Sequence, residues 1–343
     1  MAETMLRTIS DCPDAEVVAA VSDSLERARQ FAQRGGIGTW YGELHQFLKN
    51  EAIDAVYIAN ANERHAATST AALRAGKSVL CEKPMSISLA EAQTVVAAAR
   101  DTHQLFMEGM WTQLLPAYRR LKYLVGSETF GKPTHLRFDF GYPVSRADQP
   151  SLFAATGGVL LDRAVYGIAF ALGILGTVET VDASVRRTTD GVDVEASLQL
   201  SHRGGGQSQL SVSFISLMSN SAAVACERGL IGLDPPTIGA ESISYERGGA
   251  IQSNRLANKS GGIVQGTNAF LRRQPLLRRI RASTRRRNSE FHSFGGDPYA
   301  EQLRHFIGLI RERRTESDVN TMDFSMSTME VVETARSSSR VFL

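Results

Sequence analysis

The chain has 343 residues, 43% hydrophobic and 22% charged, with a formal net charge of +2 at pH 7. This is an ordinary globular composition, long enough for two domains and a large core, and its charge balance gives no reason of its own to expect nucleic acid or a membrane surface as partner. Cys12, Cys81 and Cys226 are widely spaced, cannot pair completely and show no metal-ligand spacing, so a reducing, cytoplasmic setting without a bound metal is expected.

The first segment, MAETMLRTISDCPD, lacks the apolar core of a signal peptide. No apolar run in the chain is long enough to span a bilayer. Ala2 to Ile9 reads as the second half of a helix, with Met5, Leu6 and Ile9 on one face, ended by Cys12-Pro13. Glu16 to Val21 (EVVAAV) reads as a buried strand, followed by Ser22-Asp23-Ser24 and a helix from Leu25 to Gln33. Glu43 to Lys49 is a short helix, Ala55 to Ala59 (AVYIA) a buried strand, and Arg64 to Ala75 the helix after it. Gly76 closes that helix. Val79 and Leu80 then suit a strand covered on both faces. It ends in Glu82-Lys83-Pro84, where proline removes a backbone donor. A helix from Leu89 to Arg100 and a strand from Leu105 to Glu108 complete the alternation, which argues a doubly wound parallel sheet. In such a sheet ligands bind at the carboxyl ends of the strands, so Lys83 is placed for chemistry.

The second half changes pattern. Pro116 to Leu124 is a helix, His135 to Phe140 a strand, and Gly158 to Leu175 holds an apolar helix ended by Gly176. Val181 to Arg187, Val194 to Leu200, Gln209 to Phe214 and Ala222 to Cys226 alternate apolar and polar residues, which fits a largely antiparallel sheet with one covered face. Tyr299 to Arg311 and Phe324 to Val341 are closing helices. The boundary falls near Gly109, giving domains of 1–108 and 109–343. Arg255 to His292 carries eight arginines between Arg272 and Arg287. Without interleaved aromatics it reads as a solvated loop, not a nucleic-acid surface. No internal repeat is visible.

Glu82-Lys83-Pro84, Met107-Glu108 followed by Met110-Trp111-Thr112, the pair Gly157-Gly158, and Asp162 four residues before Tyr166 together resemble the glucose–fructose oxidoreductase/inositol dehydrogenase (Gfo/Idh/MocA) family, in its dihydrodiol and sugar dehydrogenase branch. The resemblance implies a Rossmann-like dinucleotide-binding domain followed by an α+β domain with an open sheet. It also implies hydride transfer between NAD or NADP and a sugar, polyol or cyclic diol, and face-to-face sheet pairing in a homodimer or larger oligomer. Oxidising a secondary alcohol requires loss of a hydroxyl proton. Tyr166 can relay it if a cation lowers a phenol pKa of about 10, and Lys83 supplies that cation. Asp162, at i and i+4 with Tyr166, shares its helix face and orients the pair. The alternative for Tyr166 is a core or rim tyrosine.

On the cofactor side, Asp23 follows a strand, where an acid bonds ribose hydroxyls and repels a 2′-phosphate, so NAD is expected over NADP. Ser22 beside it leaves NADP possible. Asn60, Asn62, His65, Glu82 and Trp111 join Lys83 as cofactor-contact candidates. Asn62 lines the cofactor or caps a helix, His65 lines it or packs, and Trp111 borders the nicotinamide or packs between domains. Arg163 and Gln113 depart from the family pattern. So does the front of the chain: the G-x-G-x-x-G turn that cradles a pyrophosphate is absent, and Gly35-Gly36-Ile37-Gly38 follows a helix instead. About 20 residues of strand and turn are missing by the usual length of that unit. That first strand would lie between EVVAAV and AVYIA. The expectation is weak cofactor binding or a start further upstream, unless the half-sheets close and pair directly. The alternative function is a non-catalytic relative that senses a sugar or nucleotide.

Overall fold

The computed structural model describes residues 1–248, 288–338 and 340–342; the arginine-rich stretch Arg272 to Arg287 lies outside them. The first part alternates as expected: α1 (Ala2–Ser10), β1 (Ala20–Val21), α2 (Leu25–Gly35), β2 (Trp40–Tyr41), α3 (Leu44–Leu48), β3 (Ala55–Ile58), α4 (Asn62–Arg74), β4 (Ser78–Glu82), α5 (Leu89–Thr102) and β5 (Phe106–Gly109). Local signals explain several ends. The Ser24 hydroxyl accepts from the Arg27 amide at the start of α2, and Gly36, at φ 68°, closes it. Ser88 caps α5 through the Glu91 amide, a bond whose loss costs about 1 kcal/mol.

The parallel sheet is not continuous. β1 pairs only with β2, and β3, β4 and β5 form a separate sheet in that order. The expected strand EVVAAV shrinks to Ala20–Val21. The cause is lateral: β2 offers two partner residues, and the other side of β1 opens on a cavity. The half-sheets do not close on each other.

Beyond β5 come α6 (Pro116–Gly126), β6 (Pro133–Gly141), α7 (Val165–Leu175), β7 (Val178–Arg187), β8 (Asp193–His202), β9 (Gln207–Ser213), β10 (Ala222–Cys226), β11 (Gly229–Leu233), β12 (Ser242–Arg247), β13 (Asn288–Phe291), α8 (Ala300–Arg311), α9 (Met322–Ser338) and β14 (Arg340–Phe342). These strands form one nine-stranded sheet in the order β13-β12-β11-β10-β6-β9-β8-β7-β14. It is antiparallel except for β6 with β9 and β7 with β14. The last expected helix therefore ends earlier, at Ser338, and the chain turns into an edge strand on β7. A parallel edge pairing of three residues leaves no periodicity to read.

α7 and α9 pack on each other, and α9 also packs on β7 and α5, so it spans both parts. Glu333 accepts from the Leu89 amide at 2.7 Å and Arg336 donates to the Ile87 carbonyl at 3.1 Å. One apolar core runs from Val79 and Val95 through Trp111 and Leu121 to Val212 and Ile243. A smaller cluster gathers Met5, Leu80, Leu105, Met107, Phe306 and Leu309 beneath α1 and α8.

Candidate active site

β4 delivers the buried Glu82 as its last residue, and Lys83 follows in the turn. Asp162 arrives from a turn, Leu160–Ala164, wound more loosely than an α-helix, and Tyr166 from the first turn of α7. Such widened turns recur at functional sites. The Lys83 ammonium donates to Asp162 Oδ1 at 2.8 Å and to the Asp162 carbonyl at 2.9 Å. It also stands 4.9 Å from the centroid of the Tyr166 ring. The Tyr166 hydroxyl accepts from Trp111 Nε1 at 3.3 Å, and Trp111 packs on Tyr299 with ring centroids 5.0 Å apart. Lys83, Asp162, Tyr166 and Trp111 thus converge from segments far apart in sequence.

The electrostatics differ from the expectation in one respect. Burial opposes the Lys83 charge, but Asp162, the Tyr166 phenol and Glu82 outweigh it, so its pKa lies above the ordinary lysine value. For Tyr166, burial raises the phenol pKa; Lys83 pulls it down and Asp162 pushes it up, and the net is above the ordinary value. Burial outweighs the pull of Lys83, so the ammonium does not bring the phenol toward neutrality. The resting charges are an ammonium paired with a carboxylate, beside a neutral phenol.

The turn is braced from behind. Tyr57 of β3 donates to Glu82 Oε1 at 2.5 Å, and burial pushes the Glu82 carboxyl up. Glu108, also pushed up by burial, accepts from the Met85 amide at 2.8 Å and bonds Ser325 of α9. Asn320 donates to the Glu108 and Met110 carbonyls at 3.3 and 3.2 Å. His65 is buried, with Nδ1 2.7 Å from the Pro84 carbonyl and Nε2 3.1 Å from that of Asn60. Burial holds its pKa below the ordinary imidazole value, and a neutral ring donates from one nitrogen only. Here His65 clasps the turn. Asn62 is the first residue of α4; the cap position is Ala61, so the capping alternative for Asn62 is not what forms.

Gly158 has a stated reason to be glycine. Its φ is +99°, and a Cβ there would lie 2.1 Å from Asp193 Oδ1, the atom that accepts from the Leu160 amide at 3.1 Å. Asp193 thereby starts the helical segment that carries Asp162. Arg163 is buried, stands between the Phe140 and Phe214 rings, and donates to the Tyr142 and Ser213 carbonyls. Its Nε lies 3.8 Å from Asp162 Oδ2. Gln113 is buried beside Tyr118, on a cavity of about 20 Å3 that Tyr166 also lines, room for about one water.

A cavity of about 1320 Å3 opens at the carboxyl ends of β1 and β3, lined there by Ser22, Asp23, Asn60 and Arg64. Asp23 pairs with Arg27, and its Oδ2 lies 3.3 Å from Arg64. Arg27, with burial opposing, keeps its carboxyl below the ordinary value. Asn60 donates to Thr68 at 2.9 Å and is exposed. Hydroxyl, carboxylate, amide and guanidinium groups at strand ends fit the ribose and phosphates of a dinucleotide. Among the described residues, no group of three or more His, Cys, Asp or Glu stands ready for a metal, and no helix is long and apolar enough to cross a membrane. Tyr57, Asp193, Tyr299 and Asn320 were not singled out from sequence; each meets its partner across a long separation, and no local spacing marks them.

Residues 1–110 match the GFO/IDH/MocA oxidoreductase family, NAD-binding Rossmann fold, and residues 118–232 match the GFO/IDH/MocA C-terminal domain. The trans-1,2-dihydrobenzene-1,2-diol dehydrogenase of Sus scrofa is 34% identical over 223 residues, 64% of this chain and 67% of that protein. The Bos taurus enzyme of the same name is 32% identical over 235 residues, 68% of this chain and 70% of its own. Among solved structures, KijD10, a 3-ketoreductase from Actinomadura kijaniata in complex with NADP and TDP-benzene, superposes with a TM-score of 0.79 at 23% identity, covering 98% of this chain and 94% of that one. The aldose-aldose oxidoreductase of Caulobacter crescentus does so with a TM-score of 0.79 at 20% identity, covering 98% and 92%. At these identities the structural likeness speaks for the fold.

Proposed function

The chain belongs to the GFO/IDH/MocA oxidoreductase family, whose first domain is an NAD-binding Rossmann fold, and on that premise we propose that it interconverts a secondary alcohol and a ketone on a cyclic diol, sugar or polyol. The observation that carries this reading is the 2.8 Å contact of Lys83 with Asp162, directly beside Tyr166. A nicotinamide cofactor, when bound, supplies or accepts the hydride. Tyr166 passes a proton to or from the substrate oxygen. Lys83 stabilises negative charge developing on that oxygen and on the phenol, and Asp162 keeps the ammonium charged and aimed. Ser22, Asp23, Asn60 and Asn62 hold the cofactor, with Trp111 beside the reaction centre; Glu82 and His65 support the turn. The proposed division at Gly109 puts the cofactor residues in one domain and Asp162 and Tyr166 in the other, so the reaction occurs between them.

Because Tyr166 rests as a neutral phenol with a raised pKa, ketone reduction proceeds with the proton donor already in place. Oxidation requires the phenolate. Its kcat/KM is expected to rise about tenfold per pH unit from pH 7 to 9, because burial holds the phenol pKa above its ordinary value and so above that range. Reduction should stay flat over that range, and Tyr166→Phe should remove the slope. The test is absorbance of the reduced nicotinamide with a panel of trans-diols and aldoses, in both directions. Turnover of none of them with either NAD or NADP would overturn the reading. The gap between β1 and β3 favours a second one, a non-catalytic relative; that protein would bind a diol or sugar, by calorimetry, without turning it over.

Three free cysteines accord with a cytoplasmic setting. We further propose that two copies pair through the uncovered face of the large sheet. Asp182, Ser184, Ser197, Gln199, Gln209 and Ser211 form a polar ladder there. A monomeric mass at micromolar concentration would refute it.

A further inference from the structure

Arg163 takes no part in the proton transfer assigned to Lys83, Asp162 and Tyr166. Yet its side chain is only 6% exposed, less than the 14% of Lys83 and the 27% of Asp162. A buried charge is costly unless it is paired and hydrogen-bonded, so its partners matter.

β6 and β9 run parallel, with Gly141 opposite Ser213, and both strands end there. The Tyr142 and Ser213 carbonyls stand at these two ends, and the Arg163 guanidinium donates to both. The Phe140 and Phe214 rings flank it, with centroids 5.0 and 4.7 Å from Cζ. These contacts fix the guanidinium, and from there it reaches back to its neighbour in sequence. Nε lies 3.8 Å from Asp162 Oδ2, while Lys83 holds Asp162 Oδ1 at 2.8 Å. One carboxylate therefore stands between two cations. A guanidinium is not deprotonated in proteins, and the two carbonyls carry no formal charge to balance it.

In ketone reduction the Tyr166 O–H bond breaks, its proton goes to the substrate oxygen and a phenolate is left; in oxidation that phenolate takes the hydroxyl proton back. Lys83 and Asp162 cancel each other, so by themselves they offer the phenolate a cation whose charge is already taken. Arg163 adds one full positive charge. Phe140 touches both sites: its ring centroid lies 6.0 Å from that of Tyr166 and 5.0 Å from the Arg163 Cζ. Tyr166 and Arg163 are both buried, so the charge acts with less screening than at the surface. The other groups of this cluster are Glu82, which Tyr57 bonds, Tyr299 beside the phenol, and Tyr142 beside Arg163.

We propose that Arg163 is a positioning residue in the alcohol–ketone interconversion: it shares the Asp162 carboxylate with Lys83, frees part of the ammonium's charge, and so stabilises the phenolate that proton transfer leaves on Tyr166. This role rests on Tyr166 being the group that gives and takes the proton. Arg163 acts through Asp162 and Lys83 and across the Phe140 ring, and its two carbonyl bonds hold it at the distance from which it does so.

The test replaces Tyr166 by 3,5-difluorotyrosine, whose phenol titrates well below that of tyrosine, and follows its fluorine resonance against pH in the full chain without substrate. Three further forms add Arg163→Gln, which keeps donors for the carbonyls, Arg163→Met, which keeps packing between the rings, or Arg163→Lys, which keeps the charge. The two neutral forms should bind the phenol proton about tenfold more tightly, the scale of one charge at an effective dielectric of about 20, and Arg163→Lys should recover at least half of that shift. With native Tyr166, a diol and a nicotinamide cofactor, Arg163→Gln should lower kcat about threefold in both directions with KM little changed, since Brønsted behaviour passes on only part of a change in basicity. A midpoint that stays put in a folded neutral form overturns the proposal. So does one that moves as far in Arg163→Lys as in the neutral forms, because Arg163 then supplies packing and not charge. One folded neutral form suffices; failure of both to fold makes Arg163 a structural residue and also overturns it. The titration needs no turnover. A midpoint that moves as expected in a chain that oxidises no diol or sugar refutes the assigned reaction, while the link from Arg163 to Tyr166 stands.

Discussion

The surroundings of Lys83 and of Asp23 are held very differently. At the proposed reaction centre, Lys83 is fixed by two bonds to Asp162, and the turn that carries it is gripped by Tyr57, His65, Glu108 and Asn320 through their contacts with Glu82, Pro84, Met85 and the start of the next segment. At the proposed ribose end, Asp23 sits on the surface after a strand of two residues, with its side chain 47% exposed and two arginines for company. One end is over-determined; the other rests on exposed ion pairs, which contribute little and are screened by salt. Chemistry demands placement within fractions of an ångström, whereas selection between cofactors needs only a difference in charge.

The largest effect should come from the over-determined end. Lys83→Met is expected to lower kcat by about 10² or more, the scale of a general acid–base group, with the circular dichroism spectrum retained. Tyr166→Phe should act alike, and the double variant should lose little more than either single one, since both serve one proton transfer. Turnover near wild type in Lys83→Met would break the comparison outright.

Next comes the support for that end. Gly158→Ala places a Cβ against the Asp193 carboxylate at a positive φ. It should cost about 3 kcal/mol in urea unfolding, from backbone strain together with a displaced acceptor for the Leu160 amide. An unchanged unfolding midpoint would show that the segment carrying Asp162 is less constrained than its contacts imply.

The smallest effect belongs to the exposed end. Asp23→Asn removes an anion and releases Arg27 and Arg64 toward a 2′-phosphate. The ratio of NADP to NAD affinity should rise, by less than about tenfold at physiological salt, in a fluorescence titration of both reduced cofactors. A larger change would mean that the ribose end is as firmly built as the other.

The contrast also explains what could be read from sequence. Lys83, Asp162 and Tyr166 were legible because each sits in a compact motif whose residue types fit one reaction, and the structure places them in contact. The alternating strands Val181 to Cys226 were legible because one covered face imposes a period of two. β11 and β12 were missed: glycines in Gly229–Leu233 and the mixed residues of Ser242–Arg247 weaken the period. The grip on the turn was illegible for another reason. Tyr57, Asp193, Tyr299 and Asn320 gain meaning only from partners that the fold brings from elsewhere. The lowering of the Tyr166 pKa was expected from a nearby cation, but the sequence could not reveal that burial of the phenol outweighs it.

α9 carries one more implication, for the order in which the protein is made. Ser325 reaches Glu108, Asn320 just before α9 binds the Glu108 and Met110 carbonyls, and Glu333 and Arg336 bind Leu89 and Ile87. Residues in and just before α9 thus complete the support of a turn more than 200 positions earlier. A ribosome-bound chain can form β3, β4 and β5, but their reactive turn stays unbraced until the final helix has emerged. Contacts of such long sequence separation form late and slowly, so during synthesis the turn that carries Lys83 is braced only once α9 has formed.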